Sequence, residues 1–214
     1  MSKSPAEYVN PYIGTIGHLL TSTRPVTALP HSWARIFPTV TPNVMDYYTA
    51  EKAASFPAGP VEIAFARAFA RAFAREDAES AEAAVSRFDV AAVDSHPYSL
   101  SVYLEDTDIT VRGTTSMHGF VYRAEGAGKL FLRARNARFT QAENVLLIEA
   151  PEGRGGRRAF LRIALTCPFS AEIRENEAVL SGVAPVCELY AAMSYISHEK
   201  AAEIYDRELA GKTN

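Results

Sequence analysis

The sequence predicts a mainly β protein: an antiparallel β-sandwich with one Ala/Phe/Arg-rich helix and a C-terminal helix. Three observations carry this. Between Pro97 and Met193 short apolar runs recur at regular spacing, with Gly, Asn and charged residues in the breaks. Many short strands so arranged build an antiparallel sandwich or barrel rather than a parallel α/β sheet. Helical periodicity is confined to 64–84 and 197–209. Finally, 214 residues, 48% hydrophobic and 22% charged, suit one sizeable core in a single domain over 1–214.

The first sixty residues hold Pro5, Pro11, Pro25, Pro30, Pro38, Pro42, Pro57 and Pro60 and no sustained period. Proline breaks helices and donates nothing to a sheet ladder, so short strands and ordered loops are expected. Tyr8, Tyr12, Trp33, Ile36 and Phe37 make the stretch too apolar for a disordered tail. The run from Ala64 to Arg75 then repeats a four-residue Ala-Phe-Ala-Arg unit three times. As a helix, it places Phe65, Phe69 and Phe73 on one stripe and Arg67, Arg71 and Arg75 opposite. As a strand, Phe and Arg would share a face, and alanine is a poor strand former. The spacing therefore predicts a helix continuing to Ala84, with the arginines on a solvated face.

Strands are expected at 98–104, 108–115, 117–123, 129–133, 144–149, 158–165, 169–173, 178–180 and 186–193. Turn chemistry separates them at Glu125-Gly-Ala-Gly128, Glu152-Gly-Arg-Gly-Gly156 and Glu175-Asn-Glu177. Arg154-Gly-Gly-Arg-Arg158 reads as a hairpin loop rather than an RNA-binding box. From Ser197, an N-cap residue, the chain turns helical and amphipathic through Ala201, Ile204, Tyr205 and Leu209. Glu203 and Arg207 have the spacing of a favourable pair, and Gly211 ends the helix.

A net charge of −3 gives no electrostatic case for nucleic acid or an anionic membrane as partner. The apolar runs are too short to span a bilayer, and Met1-Ser-Lys-Ser-Pro5 leads into no apolar signal core, so a cytoplasmic protein is expected. Cys167 and Cys187 are too few for a disulfide framework or a metal cluster and read as two buried free thiols. No phosphate-cradling glycine loop, CxxC, HExxH or GxSxG occurs, and the five histidines fall at no metal-pair spacing. Acidic pairs such as Glu105-Asp106 fall in a turn, where solvation is expected. Two segments stand out. One is Gly14-Thr-Ile-Gly-His-Leu-Leu-Thr-Ser22; the other is Leu29-Pro-His-Ser-Trp-Ala-Arg35, where the single Trp has His31 and Arg35 beside it. An aromatic face with hydrogen-bonding neighbours can hold a sugar ring, stacking its apolar side while its hydroxyls are bonded.

Tyr8-Val-Asn-Pro-Tyr-Ile-Gly-Thr-Ile-Gly-His18 resembles the opening of glycoside hydrolase family 92, the calcium-dependent exo-α-mannosidases. Ser86-Arg-Phe-Asp89, Pro97-Tyr-Ser-Leu-Ser-Val-Tyr-Leu-Glu-Asp106, Gly119-Phe-Val-Tyr-Arg123 and Met193-Ser-Tyr-Ile-Ser-His-Glu-Lys-Ala-Ala202 resemble later segments of its N-terminal domain, in the right order. The resemblance implies a supersandwich β-domain that in the family precedes a helical (α/α)6 catalytic domain. That second domain holds the acid, the base and the calcium ligands, so neither a catalytic residue nor a cofactor is carried onto this chain. The N-terminal domain adds loops to the substrate cleft. Gly17 and His18 match its Gly-His-Gly loop, with Leu19 in the last place. The candidate substrate-binding set is thus Gly17, His18, His31, Trp33 and Arg35. The expected partners are a mannose-type glycan or a helical catalytic chain completed in trans. The alternative is an interaction protein that homodimerises through the former domain interface, with the C-terminal helix lacking its partner domain.

Overall fold

A computed structural model describes residues 8–9, 26–30, 32–40, 52–67, 84–152 and 156–211. They form two antiparallel sheets. The strands are β1 (Thr39–Val40), β2 (Lys52–Ala58), β3 (Val61–Ala66), β4 (Ser86–Arg87), β5 (Asp94–Ser95), β6 (Ser99–Leu104), β7 (Ile109–Thr115), β8 (Gly119–Glu125), β9 (Lys129–Arg133), β10 (Arg138–Ala142), β11 (Val145–Glu152), β12 (Arg157–Leu165), β13 (Ser170–Arg174), β14 (Glu177–Ser181) and β15 (Val186–Ser194). A helix, α1 (His198–Glu208), ends the chain's regular structure. One sheet has seven strands in the order β1-β2-β3-β9-β14-β13, with β4 also pairing β2. The other has eight, β10-β11-β12-β15-β8-β7-β6-β5.

Alternation decides which side chains meet between the sheets. Ile63 and Phe65 lie opposite Leu132 and Leu130, and these in turn lie opposite Ala178 and Leu180. All six are buried in one core with Val102, Val111, Tyr122, Leu146, Ile148, Leu161, Ile163 and Leu189 of the larger sheet. Edge-on aromatic contacts bind the two layers: Tyr122 meets Phe56 at 5.7 Å and Phe65 at 6.0 Å between ring centroids. The fully buried Tyr122 hydroxyl donates to Pro57 O at 3.1 Å, so its polar atom crosses the core to a partner in the other sheet.

Turn residues fall where the sequence places them. Asn176 takes a positive φ of 62° between β13 and β14, and Gly156 one of 67° before β12. Between β10 and β11 the turn residue is Glu143, φ 53°, an unusual choice for a left-handed position. β10 itself was not foreseen: of its side chains only Phe139 is buried, so the apolar signal is one residue deep.

The predicted Ala/Phe/Arg helix is corrected at its start. Ala64, Phe65 and Ala66 are the end of strand β3, where they pair with Phe131, Leu130 and Lys129 of β9; β2 pairs the preceding residues Val61, Glu62 and Ile63. Phe65 enters the core, while Ala64 and Ala66 face outward against Phe131 and Val179. Alanine's helical preference is worth a few tenths of a kcal/mol per residue, and pairing with β9 together with burial of Phe65 outweighs it. The objection that Phe and Arg cannot share a strand face is also met. Arg67 lies just past the strand end, where its guanidinium donates to the carbonyls of Thr107 and Asp108 and pairs with the Asp108 carboxylate. Residues 68–83, the remainder of the predicted helix, are outside the described residues.

The C-terminal helix forms as expected. Ser197 Oγ caps it by accepting from Lys200 N at 3.2 Å, and Gly211 follows its end with φ 74°. Two expectations change. Glu203 pairs with Lys200 rather than Arg207, which instead reaches Glu208 at 2.7 Å. The apolar face has a partner: Ile204, Tyr205 and Leu209 pack on Val121, Tyr190 and Ala192 of the larger sheet's outer face. The apolar side chains of α1, expected to lack a partner domain, are covered within this chain.

The acidic residues of the β6–β7 turn are also engaged. Asp106 accepts from Arg87 N and Nε, at 2.8 and 2.9 Å. The bond from the Arg87 backbone, with help from its guanidinium, lowers the Asp106 pKa despite partial burial.

Candidate functional site

Of the five residues predicted to touch substrate, Trp33 and Arg35 can be placed; Gly17, His18 and His31 lie outside the described residues. Trp33 sits at a bend between the two ends of the Thr27–Ile36 bridge, whose two backbone bonds are each 3.0 Å. Ser32 Oγ fixes the residue before it, donating to Ser116 O at 2.9 Å and accepting from Ala34 N at 3.0 Å. The Trp33 ring is half-buried, edge-on to Phe120 at 6.3 Å. Arg35, two residues on, is exposed. Among the described residues nothing accepts a hydrogen bond from the buried Trp33 Nε1. A buried indole N–H normally has a partner.

The β2–β3 turn packs against this ring. Gly59 has φ 62°, and a β-carbon there would come within 2.9 Å of Trp33 Cζ3 and 3.0 Å of Met193 Sδ. Glycine is therefore required twice, for the left-handed backbone and for the close approach. Gly59 and Pro60 also form one wall of an open groove of about 670 Å³, whose other walls include Glu62, Arg133, Arg135 and Asn176. The sequence reading missed these groove residues. Glu175-Asn-Glu177 was visible as a turn, but nothing in linear order brings it beside the turn at Gly59 and Pro60, which belongs to a different hairpin.

Beside the groove the smaller sheet carries a row of alternating charges. Glu62, Arg133, Glu177 and Arg174 stand directly opposite one another on β3, β9, β14 and β13. Arg133 Nε donates to Glu177 Oε1 at 2.8 Å, and Ser55 Oγ donates to Glu62 Oε2 at 3.3 Å. Cross-strand opposite charges stabilise a sheet, so this row is first a structural feature. The exposed Arg135 is not paired with any described carboxylate. The groove can thus offer a guanidinium and an amide to the hydroxyls of a polar ligand. It presents no nucleophile and base in contact, the arrangement that covalent catalysis needs.

Among the described residues no group of three or more His, Cys, Asp or Glu side chains converges to hold a metal ion. Nor, among the described residues, is any helix long and apolar enough to cross a membrane.

No family model matches the sequence, and no curated protein matches it. Solved structures do. A family GH92 inverting mannosidase of Bacteroides thetaiotaomicron superposes with a TM-score of 0.79 at 19% identity, over 99% of this chain and 34% of that one. A family GH92 α-mannosidase of the same organism gives 0.73 at 14% identity, over 99% and 36%. A further GH92 family glycosyl hydrolase gives 0.73 at 16%, over 97% and 35%. The likeness is one of fold: the two-sheet architecture of nearly the whole chain recurs in the N-terminal portion of these enzymes. This chain spans about a third of their length.

Proposed function

We propose that this chain is the N-terminal domain of a family 92 α-mannosidase-like glycosidase, which binds a mannose-type glycan weakly or completes a mannosidase active site contributed by a helical catalytic chain. It is not catalytic by itself. The observation that carries this reading is the match of nearly the whole chain to one third of several GH92 mannosidases. The indole N–H of Trp33, which has no acceptor among the described residues, supports the sugar-binding part. Stacking on one ring face together with a few hydrogen bonds gives affinities no tighter than millimolar for a monosaccharide.

Trp33 is the only tryptophan, so intrinsic fluorescence reports on it alone. Titration with mannose and an α-mannobioside should shift its emission, and Trp33→Phe should lose the binding heat measured by calorimetry. The absence of any response at high millimolar sugar would count against direct binding. Mannose release on mixing this chain with a helical catalytic chain, and from neither alone, would support completion in trans.

A second reading is favoured by one observation: Ile196, 74% exposed, follows the half-exposed Tyr195 just before α1. In this reading a surface that includes the pair buries itself in a homodimer. A strictly monomeric sedimentation profile across the micromolar range would exclude it.

A further inference from the structure

The two cysteines are neighbours across a strand pair. Cys167 follows β12, and Cys187 is the second residue of β15. The register of these strands sets Leu165 opposite Leu189. One step further, Thr166 N donates to Glu188 O at 3.0 Å, and Glu188 N donates to Thr166 Oγ1 at 3.0 Å. The next residue, Cys167, lies in the bend past the end of β12 and comes beside Cys187. Both side chains meet the core, where Cys187 is 3% exposed and the half-buried Cys167 packs against the same cluster. Their Sγ atoms are 3.3 Å apart, and the Ala184 N–H donates to Cys167 Sγ at 3.4 Å. A disulfide needs about 2.05 Å between sulfurs, so small rotations of two side chains close the gap without moving either strand.

We propose that Cys167 and Cys187 form a redox pair that closes to an intramolecular disulfide when the protein meets a low-molecular-weight disulfide such as oxidised glutathione. The half-buried Cys167 reacts first. Its thiolate attacks one sulfur of the small disulfide, forming a mixed disulfide and expelling one small thiol. Cys187, having given its proton to solvent, then attacks Cys167 Sγ. The bond to the small molecule breaks, and a second small thiol leaves with a proton. Two protein thiols are thereby oxidised by two electrons, and one small disulfide is reduced to two thiols. Burial, with the contact to Cys167, pushes the Cys187 thiol up to about 12, so the closing step quickens as pH rises.

The consequence is local to the fold. The loop that the bond closes contains β13 and β14, the edge hairpin of the smaller sheet that carries Asn176 into the groove. Fastening both ends of that excursion to the larger sheet reduces the freedom of the hairpin relative to the sheet beneath it.

The test uses the whole chain, first reduced and then incubated without oxygen at pH 8 with excess oxidised glutathione. The expected product is a monomer lighter than the reduced chain by about 2 Da, with no thiol left to alkylate after denaturation, and a thermal midpoint above that of the reduced form. Peptide mapping should recover the segments around Cys167 and Cys187 joined. Cys187→Ser should stop at the mixed disulfide on Cys167. A stable mixed disulfide on the unaltered chain, disulfide-linked dimers, or closure only after denaturation would overturn the proposal. These readouts on the unaltered chain decide it even if the serine variant does not fold.

Discussion

Glu208, at the end of α1, takes both donors of His118, ninety positions earlier: the backbone N at 2.9 Å and Nδ1 at 2.8 Å. Ser116 Oγ adds a third bond at 3.1 Å and Arg207 a fourth at 2.7 Å. One carboxylate thus latches the closing helix to the β7–β8 turn, the same turn whose Ser116 carbonyl holds the Trp33 segment through Ser32.

The latch should be visible in the pH dependence of stability. Burial alone would raise the Glu208 pKa, but the bonds from Arg207, His118 and Ser116 outweigh it and bring it down to about 2. A depressed carboxyl pKa stabilises the fold above its ordinary value of 4.5, and that contribution is lost as pH falls from there towards 2. Glu208→Gln should cost about 2 kcal/mol at pH 7, and the gap to the unaltered chain should close across that acidic range in chemical denaturation.

Gly59→Ala should be destabilising by about 1–2 kcal/mol, since its methyl would strike Trp33 and Met193 while the backbone is held at positive φ. The Trp33 emission maximum should move with it, because the ring must tilt to make room. An unchanged spectrum and midpoint would show that the turn is not held against the indole.

Ile204→Ala should loosen α1. The side chain is buried against Val121, Tyr190 and Ala192, and its truncation should cost about 2–4 kcal/mol. Amide exchange should accelerate in α1 before it does in the inter-sheet core, since the helix rests on the outer face of one sheet only.

Tyr122→Phe removes the hydroxyl that crosses the core and leaves Pro57 O without that donor. The denaturant midpoint should fall by the equivalent of about 1 kcal/mol with the slope unchanged, because the shape of the core is preserved.

Much of the architecture was legible because it is written locally. Except for β10, the strands from 98 to 193 announce themselves by their short apolar runs, and their turns by residues such as Asn176 and Gly156 that tolerate a left-handed backbone. The Ser197 cap and the Gly211 stop delimit α1 for the same reason. The candidate site was less legible. Trp33 could be singled out as a lone aromatic beside polar neighbours, but its contacts with Gly59 and Phe120, and the Met193 sulfur beside them, come from three other parts of the chain.

What the sequence determined by itself is the class of fold: many short antiparallel strands and a capped helix, each specified by side chains within a few residues of one another. What only the tertiary structure decided is how those elements compete and meet. Ala64–Ala66 became strand because β9 pairs all three residues and Phe65 enters the core, and together these outweigh alanine's preference for helix. The groove beside Trp33, the latch from Glu208 to His118 and the opposed sulfurs of Cys167 and Cys187 all join residues distant in sequence. Their geometry follows from sheet order and register, which local patterning does not encode.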